Sequence, residues 1–228
     1  MKLASLILPL FLFSLLTDAA QKNVTSVDQI NGSSPRNLQI AIAKEAAPPE
    51  VSDAATIYVL DKSGYIAVQQ GSNGFSCLIG RERADTVEPA CFDAEGSATT
   101  LKTLLRTEEL RAQGKSEDEI AQDIAEGYKT GRFQAPRKAG IVYMLSNSNR
   151  VFNPETKKVI PFPGHLMFYA PYATAKEIGS GEGAPYVVHP GQPDALMIVI
   201  PQRSDASAKA SHDASHKTTA AKKLPVNP

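Results

Sequence analysis

The chain holds 228 residues, with 24 Lys and Arg against 24 Asp and Glu, and no Trp. A net charge of zero excludes the sustained positive field that attracts nucleic acid or an acidic membrane surface. Aromatic residues make up 7% of the chain, which argues against a surface that stacks on sugars.

In chain order, the first element is a secretory signature. Lys2 supplies a positive n-region, Leu3 to Leu16 form an apolar run too short to span a bilayer, and Thr17-Asp18-Ala19-Ala20 offers small residues for cleavage. Cleavage after Ala19 puts Thr17 at the −3 position; cleavage after Ala20 would put Asp18 there. The reading is a signal peptide over residues 1–19, export to the periplasm or beyond the cell, and no integral membrane segment after cleavage. Residues 20–36 are polar and read as a flexible leader. Residues 37–202 read as one α+β domain. From Arg203 the composition turns to Ser, Ala, Lys and His, a tail over 203–228 that cannot bury enough apolar surface to order itself.

Leu38 to Ala46 predicts a short helix stopped by Pro48-Pro49. Two period-two runs, Ala55 to Leu60 and Tyr65 to Gln70, flank the turn signal Asp61-Lys62-Ser63-Gly64. Gln70-Gly71-Ser72-Asn73-Gly74 then leads into a third strand, Phe75 to Gly80, so the expectation is a three-stranded antiparallel meander. Cys77 lies on that third strand, and Cys91 follows a looser segment, Thr86 to Ala90. In an exported chain, a lone pair of cysteines predicts one structural disulfide. The rival is a nucleophilic thiol, which has neither a Cys-x-x-Cys pattern nor a nearby His behind it.

Two helices come next. Leu101, Leu104, Leu105 and Leu110 give the first its apolar stripe, and Gly114 ends it. Ser116 and Glu119 form a capping box that opens the second, whose Ile120, Ile124 and Tyr128 recur every four residues up to Gly131. Further strands are predicted at Gly140 to Ser146, His165 to Ala170 and Ala195 to Ile200, with a short helix at Ala173 to Ile178. Pro161, Pro163, Pro171, Pro185 and Pro190 imply long ordered loops between them. The pattern predicts an α+β fold: a mainly antiparallel sheet, made of the N-terminal meander and the C-terminal strands, with two central helices packed on one face.

Three groups of residues bear on chemistry. On a strand, His165, Met167 and Tyr169 share one face while Leu166, Phe168 and Ala170 share the other. Taking Leu and Phe as the core side puts His165 and Tyr169 on a cleft side, as base and donor. The bland alternative is a solvent face or a satisfied imidazole. Glu88, Asp93 and Glu95 form the second group, suited either to acid–base or Ca²⁺ chemistry or to capping the helix that follows. His189, in the turn Val-Val-His-Pro-Gly, joins His165 as a weak metal candidate, and His212 and His216 lie four apart in the tail. No P-loop, dinucleotide glycine motif, His-Glu-x-x-His or serine-hydrolase elbow occurs, so no cofactor is expected.

Several segments in order resemble a group of exported bacterial proteins to which no activity is assigned. They are Ala-Ala-Thr-Ile-Tyr-Val (54–59), Gly-Ser-Asn-Gly-Phe-Ser-Cys (71–77), Cys-Phe-Asp-Ala-Glu-Gly (91–96), Tyr-Met-Leu-Ser (143–146), His-Leu-Met-Phe-Tyr-Ala-Pro (165–171), Pro-Tyr-Val-Val (185–188) and Ala-Leu-Met-Ile-Val (195–199). The resemblance spans about residues 40 to 200. It implies an exported single domain and carries over no catalytic residue. The functional expectation is a non-catalytic domain that binds a small ligand or an envelope protein. The alternative is a small hydrolase or metal-assisted enzyme using His165, Tyr169 and one of Glu88, Asp93 or Glu95.

Overall fold

The computed structural model describes residues 30–179 and 185–201. The expected signal peptide, residues 20–29 of the leader, and the tail with His212 and His216 lie outside the described residues. The leader, expected to run to residue 36, is anchored before that point. Ile30 is 1% exposed and packs into the core, and its carbonyl accepts a hydrogen bond from Arg81 Nη1 at 3.2 Å. Helix α1 (Arg36–Lys44) buries Ile42 and Ala43, and the two prolines end one helix and begin another, with Pro49 at the first position of α2 (Pro49–Ser52).

Strands β1 (Thr56–Asp61) and β2 (Gly64–Gln69) pair antiparallel through a two-residue turn, where Gly64 takes a φ of 111° that a side chain would resist. The meander stops there. Strand β3 (Ser76–Gly80) lies on the other side of β1 and runs parallel to it, with Thr56 opposite Ser76 and Ile57 opposite Cys77. Residues 70–74, expected as a hairpin turn, instead cross the start of β1 together with Phe75. Ser72 N donates to Ala54 O and Thr56 N to Phe75 O, both at 2.8 Å, and a Cβ on Gly71 would overlap the backbone of Ala55 and Thr56. Burial explains the order: all five residues of β3 are buried, so it needs a partner on each edge, whereas half-exposed β2 tolerates the sheet margin.

The looser segment expected before Cys91 is mostly a regular strand, β4 (Glu88–Phe92), antiparallel to β3. Cys77 stands directly opposite Cys91, with Cα atoms 4.0 Å apart, and the two form a disulfide. Three helices follow: α3 (Ala94–Ala98), α4 (Thr100–Ala112) and α5 (Glu117–Lys129). Strand β5 (Ile141–Met144) returns beside β4. The proline-rich stretches expected as loops hold strands of their own: a separate hairpin of β6 (Arg150–Asn153) and β7 (Lys158–Pro161), and later β9 (Tyr186–Val188). With β8 (His165–Tyr169), the short helix α6 (Ala175–Ile178) and β10 (Leu196–Val199), the main sheet reads β2-β1-β3-β4-β5-β8-β10-β9. The fold is α+β around a mostly antiparallel eight-stranded sheet.

The two central helices lie together on one face of the sheet, and α1 covers the other. Ile42 and Ala43 of α1 pack with Ile57, Cys77, Ile79 and Cys91, while Leu101 of α4 packs with Leu78, Ala90, Phe92 and Val142. Leu78 alternates with Cys77 and Ile79 on one strand, so the two clusters lie on opposite sides of the sheet. Helix α5 packs against α4. Among the described residues, no helix is long and apolar enough to cross a membrane.

Candidate functional site

Strand β8 keeps its expected alternation but turns its faces the other way. His165, Met167 and Tyr169 are at most 9% exposed and face the α4 side, while Leu166 and Phe168 are half-buried on the α1 side. The reason lies outside the strand: α1 packs over β1, β3 and β4, in the other half of the sheet from β8. His165 is 2% exposed, its Nδ1–H donates to the Pro163 carbonyl at 2.9 Å, and Phe162 meets its ring edge-on at 5.0 Å. Burial holds its pKa below the ordinary 6.5. This is a satisfied core imidazole.

Tyr169 sits at the other end of β8, about 13 Å from His165 at ~3.3 Å per residue. Its hydroxyl donates to Asp93 Oδ1 at 3.0 Å. Asp93 Oδ1 also accepts from Gly96 N at 2.9 Å, capping α3, and Oδ2 accepts from Ile141 N at 2.9 Å. A Cβ on Gly96 would collide with the Tyr169 hydroxyl, and one on Gly140 would collide with Asp93. Burial, then the Asp93 carboxylate, raise the Tyr169 phenol well above its ordinary range. The pair latches β4, β5, β8 and α3 together and leaves no room for a substrate. Glu95 accepts from Arg137 N at 2.7 Å. Glu88, at the opposite end of β4, accepts from Glu82 N at 3.0 Å, and burial raises its pKa. The structure thus joins Asp93 with Tyr169 and keeps His165 and Glu88 away from both.

One cleft, about 660 Å³, lies between residues 31–33, the β1–β2 turn and the end of α4. Its floor is an ion network in which Glu108, 3% exposed, is held between Arg81 and Arg111. Arg111 also donates to the carbonyls of Arg81 at 3.2 Å and Glu82 at 2.8 Å, and its Nε pairs with Glu117 at 2.8 Å. These bonds tie the end of β3 and the segment at Ile30 to α4. The charges are occupied in holding the fold, and removing one partner would strand another in the interior.

A second cleft, of about 320 Å³, combines an apolar floor with a paired His and carboxylate. One wall is the face of α5 that carries Ile120, Ala121, Ile124, Ala125 and Tyr128; the other is the loop from His189 to Asp194. The floor follows from helical spacing, since these residues lie three and four apart. The loop holds an unusual backbone: His189 has a φ of 51° and Tyr172, on the neighbouring segment, a φ of 65°. Tyr172 N donates to Gln192 O at 2.8 Å and Gly191 N to Ala173 O at 2.9 Å, which locks the two segments together. Strained residues held in this way gather at functional sites.

His189 Nδ1 lies 3.1 Å from Asp194 Oδ2, and more than half of the His189 side chain is exposed. The bond to Asp194 raises the His189 pKa above 6.5, reinforced by the charges of Asp194, Glu82 and Glu88. Burial, then the Asp194 carboxylate, raise the Tyr128 phenol. The Tyr128 hydroxyl is buried beside the Thr103 hydroxyl and makes no well-aligned hydrogen bond among the described residues.

His189 was legible as a turn residue, but Asp194 was not singled out, and Tyr128 and Ile124 read as core stripe. The stretch His189-Pro190-Gly191-Gln192-Pro193-Asp194 held the signal: a turn ending in a carboxylate that can reach back to its first residue. Among the described residues, no group of three His, Cys, Asp or Glu side chains converges to hold a metal. Comparison with family models, curated proteins and solved structures finds no match for the chain.

Proposed function

We propose that the protein is an exported, non-catalytic binding domain, acting in the periplasm or outside the cell, that holds a small ligand in the cleft between α5 and the His189–Asp194 loop. The observation that carries this reading is that cleft: an apolar floor, a hydrogen-bonding pair at its rim and a pre-locked loop form the usual anatomy of a small-molecule site. Its volume lies at the lower end of the ~300–1,000 Å³ range of such sites, which suits one small molecule. Export rests on the N-terminal run Leu3 to Leu16 behind Lys2, on the Cys77–Cys91 disulfide, and on the resemblance to exported bacterial proteins. The hydrolytic alternative is weakened because its base, His165, is buried and lies at the far end of β8 from the Tyr169–Asp93 pair.

The test is methyl NMR on the mature chain titrated with small apolar alcohols, amines and acids. Ligands should shift the methyls of Ile120, Ile124, Ala121 and Ala125 and leave those of Ile42 and Ile57 in place. Ala125 is exposed on the cleft wall, so Ala125→Phe should fill the cleft and abolish the shifts without unfolding the chain. A panel that leaves the cleft methyls unmoved would overturn the reading.

A further inference from the structure

The residues lining the α5 cleft carry an unbalanced charge pattern. Glu117 and Asp194 bring carboxylates to its two walls, and among the described residues no Lys or Arg lines it. Glu117 is neutralised from behind by Arg111, through bonds of 2.8 and 3.0 Å. Asp194 has only His189 as a partner, through Oδ2, and among the described residues its Oδ1 accepts no hydrogen bond. Among the described residues, the one cation that lines the cleft is therefore an imidazole, which gains and loses its proton near neutral pH. Beside Asp194, the Tyr128 side chain lines the cleft with its aromatic ring. An anion placed here would meet a carboxylate and no lysine or arginine. A cation would meet Asp194 and an aromatic ring, the two surfaces that attract it.

We infer that the cleft takes an organic monocation, a primary amine on a short aliphatic body, with the ammonium on Asp194 beside Tyr128 and the chain along Ile120 and Ile124. This rests on the binding reading above and narrows it to a ligand class. An ammonium on Asp194 brings a second positive charge against the protonated imidazole of His189, so resident and ligand compete for one carboxylate. Asp194 attracts both; His189 opposes the ligand.

Hexylamine, hexanol and hexanoate share one chain and differ in the head group, so their affinities separate the head from the tail. Measured by shifts of the four cleft methyls, hexylamine should bind at least about tenfold tighter than hexanoate, a ratio equivalent to ~1.4 kcal/mol. Asp194→Asn should erase that preference while hexanol still binds. His189→Ala should tighten hexylamine, because the competitor is gone; a merely structural loop pair would weaken binding in both variants. Equal or tighter binding of hexanol or hexanoate would overturn the ligand class and leave the cleft as a binding site. If none of the three probes moves the cleft methyls, both the class and the binding reading fall.

Discussion

The two described histidines show how environment sets one side chain to opposite tasks. His165 is buried against Phe162 with its Nδ1–H on a carbonyl, and its charged form is disfavoured. His189 leans on Asp194, and its charged form is favoured. In a histidine-resolved NMR titration of the mature chain, His189 should therefore titrate above 6.5 and His165 below it. Asp194→Asn should bring His189 down and leave His165 unmoved. The two contribute to stability with opposite signs. His165, lowered in the folded state, costs nothing above its unfolded pKa near 6.5 and destabilises the fold as pH drops from there through its folded value. His189, raised in the folded state, stabilises below 6.5 and loses that contribution as pH climbs through its folded value; its exposure keeps the effect small.

Elements were legible where their causes are local. Ser116 and Glu119 sit three residues apart, and each satisfies the other's backbone: Glu119 N donates to Ser116 Oγ at 3.3 Å and Ser116 N to Glu119 Oε2 at 2.9 Å. Ser116→Ala should cost about 1 kcal/mol in denaturant unfolding, and threonine at this position should restore most of it. The β1–β2 turn and the two long helices follow from equally short-range patterns. Strand neighbours do not. Gly71 and Asn73 signal a change of direction, but nothing within residues 70–75 says whether the chain returns beside β2 or crosses β1. That is decided by β3, which is apolar on both faces and needs two partners. The same limit governs the candidate site. The parity of His165, Met167 and Tyr169 is written in the strand, yet which side is the interior depends on how far α1 and α4 extend over the sheet. The cleft at α5 needs residues 117–128 and 189–194 together, which only the closed sheet supplies.

At the scale of the whole molecule, the sheet separates two cores, and β3 and β4 belong to both. Ile79 and Cys91 face one core, and Leu78, Ala90 and Phe92 face the other. The disulfide joins these two strands at the point where the layers meet, and both of its cysteines are 0% exposed. In the chain-entropy account, such a link over a loop of about 15 residues stabilises by ~3 kcal/mol. Its position has another consequence. A soluble reductant has no path to either sulfur while the layers are shut, so it must wait for the centre of the sheet to open. The bond is in effect a clock for that opening. Trapping released thiols in native buffer should show reduction slower than in denaturant by the fraction of time the centre is open, and a weakened helix cap at Ser116 should make the clock run faster. Reduction as fast in native buffer as in denaturant would mean that the sulfurs are reached without any such opening.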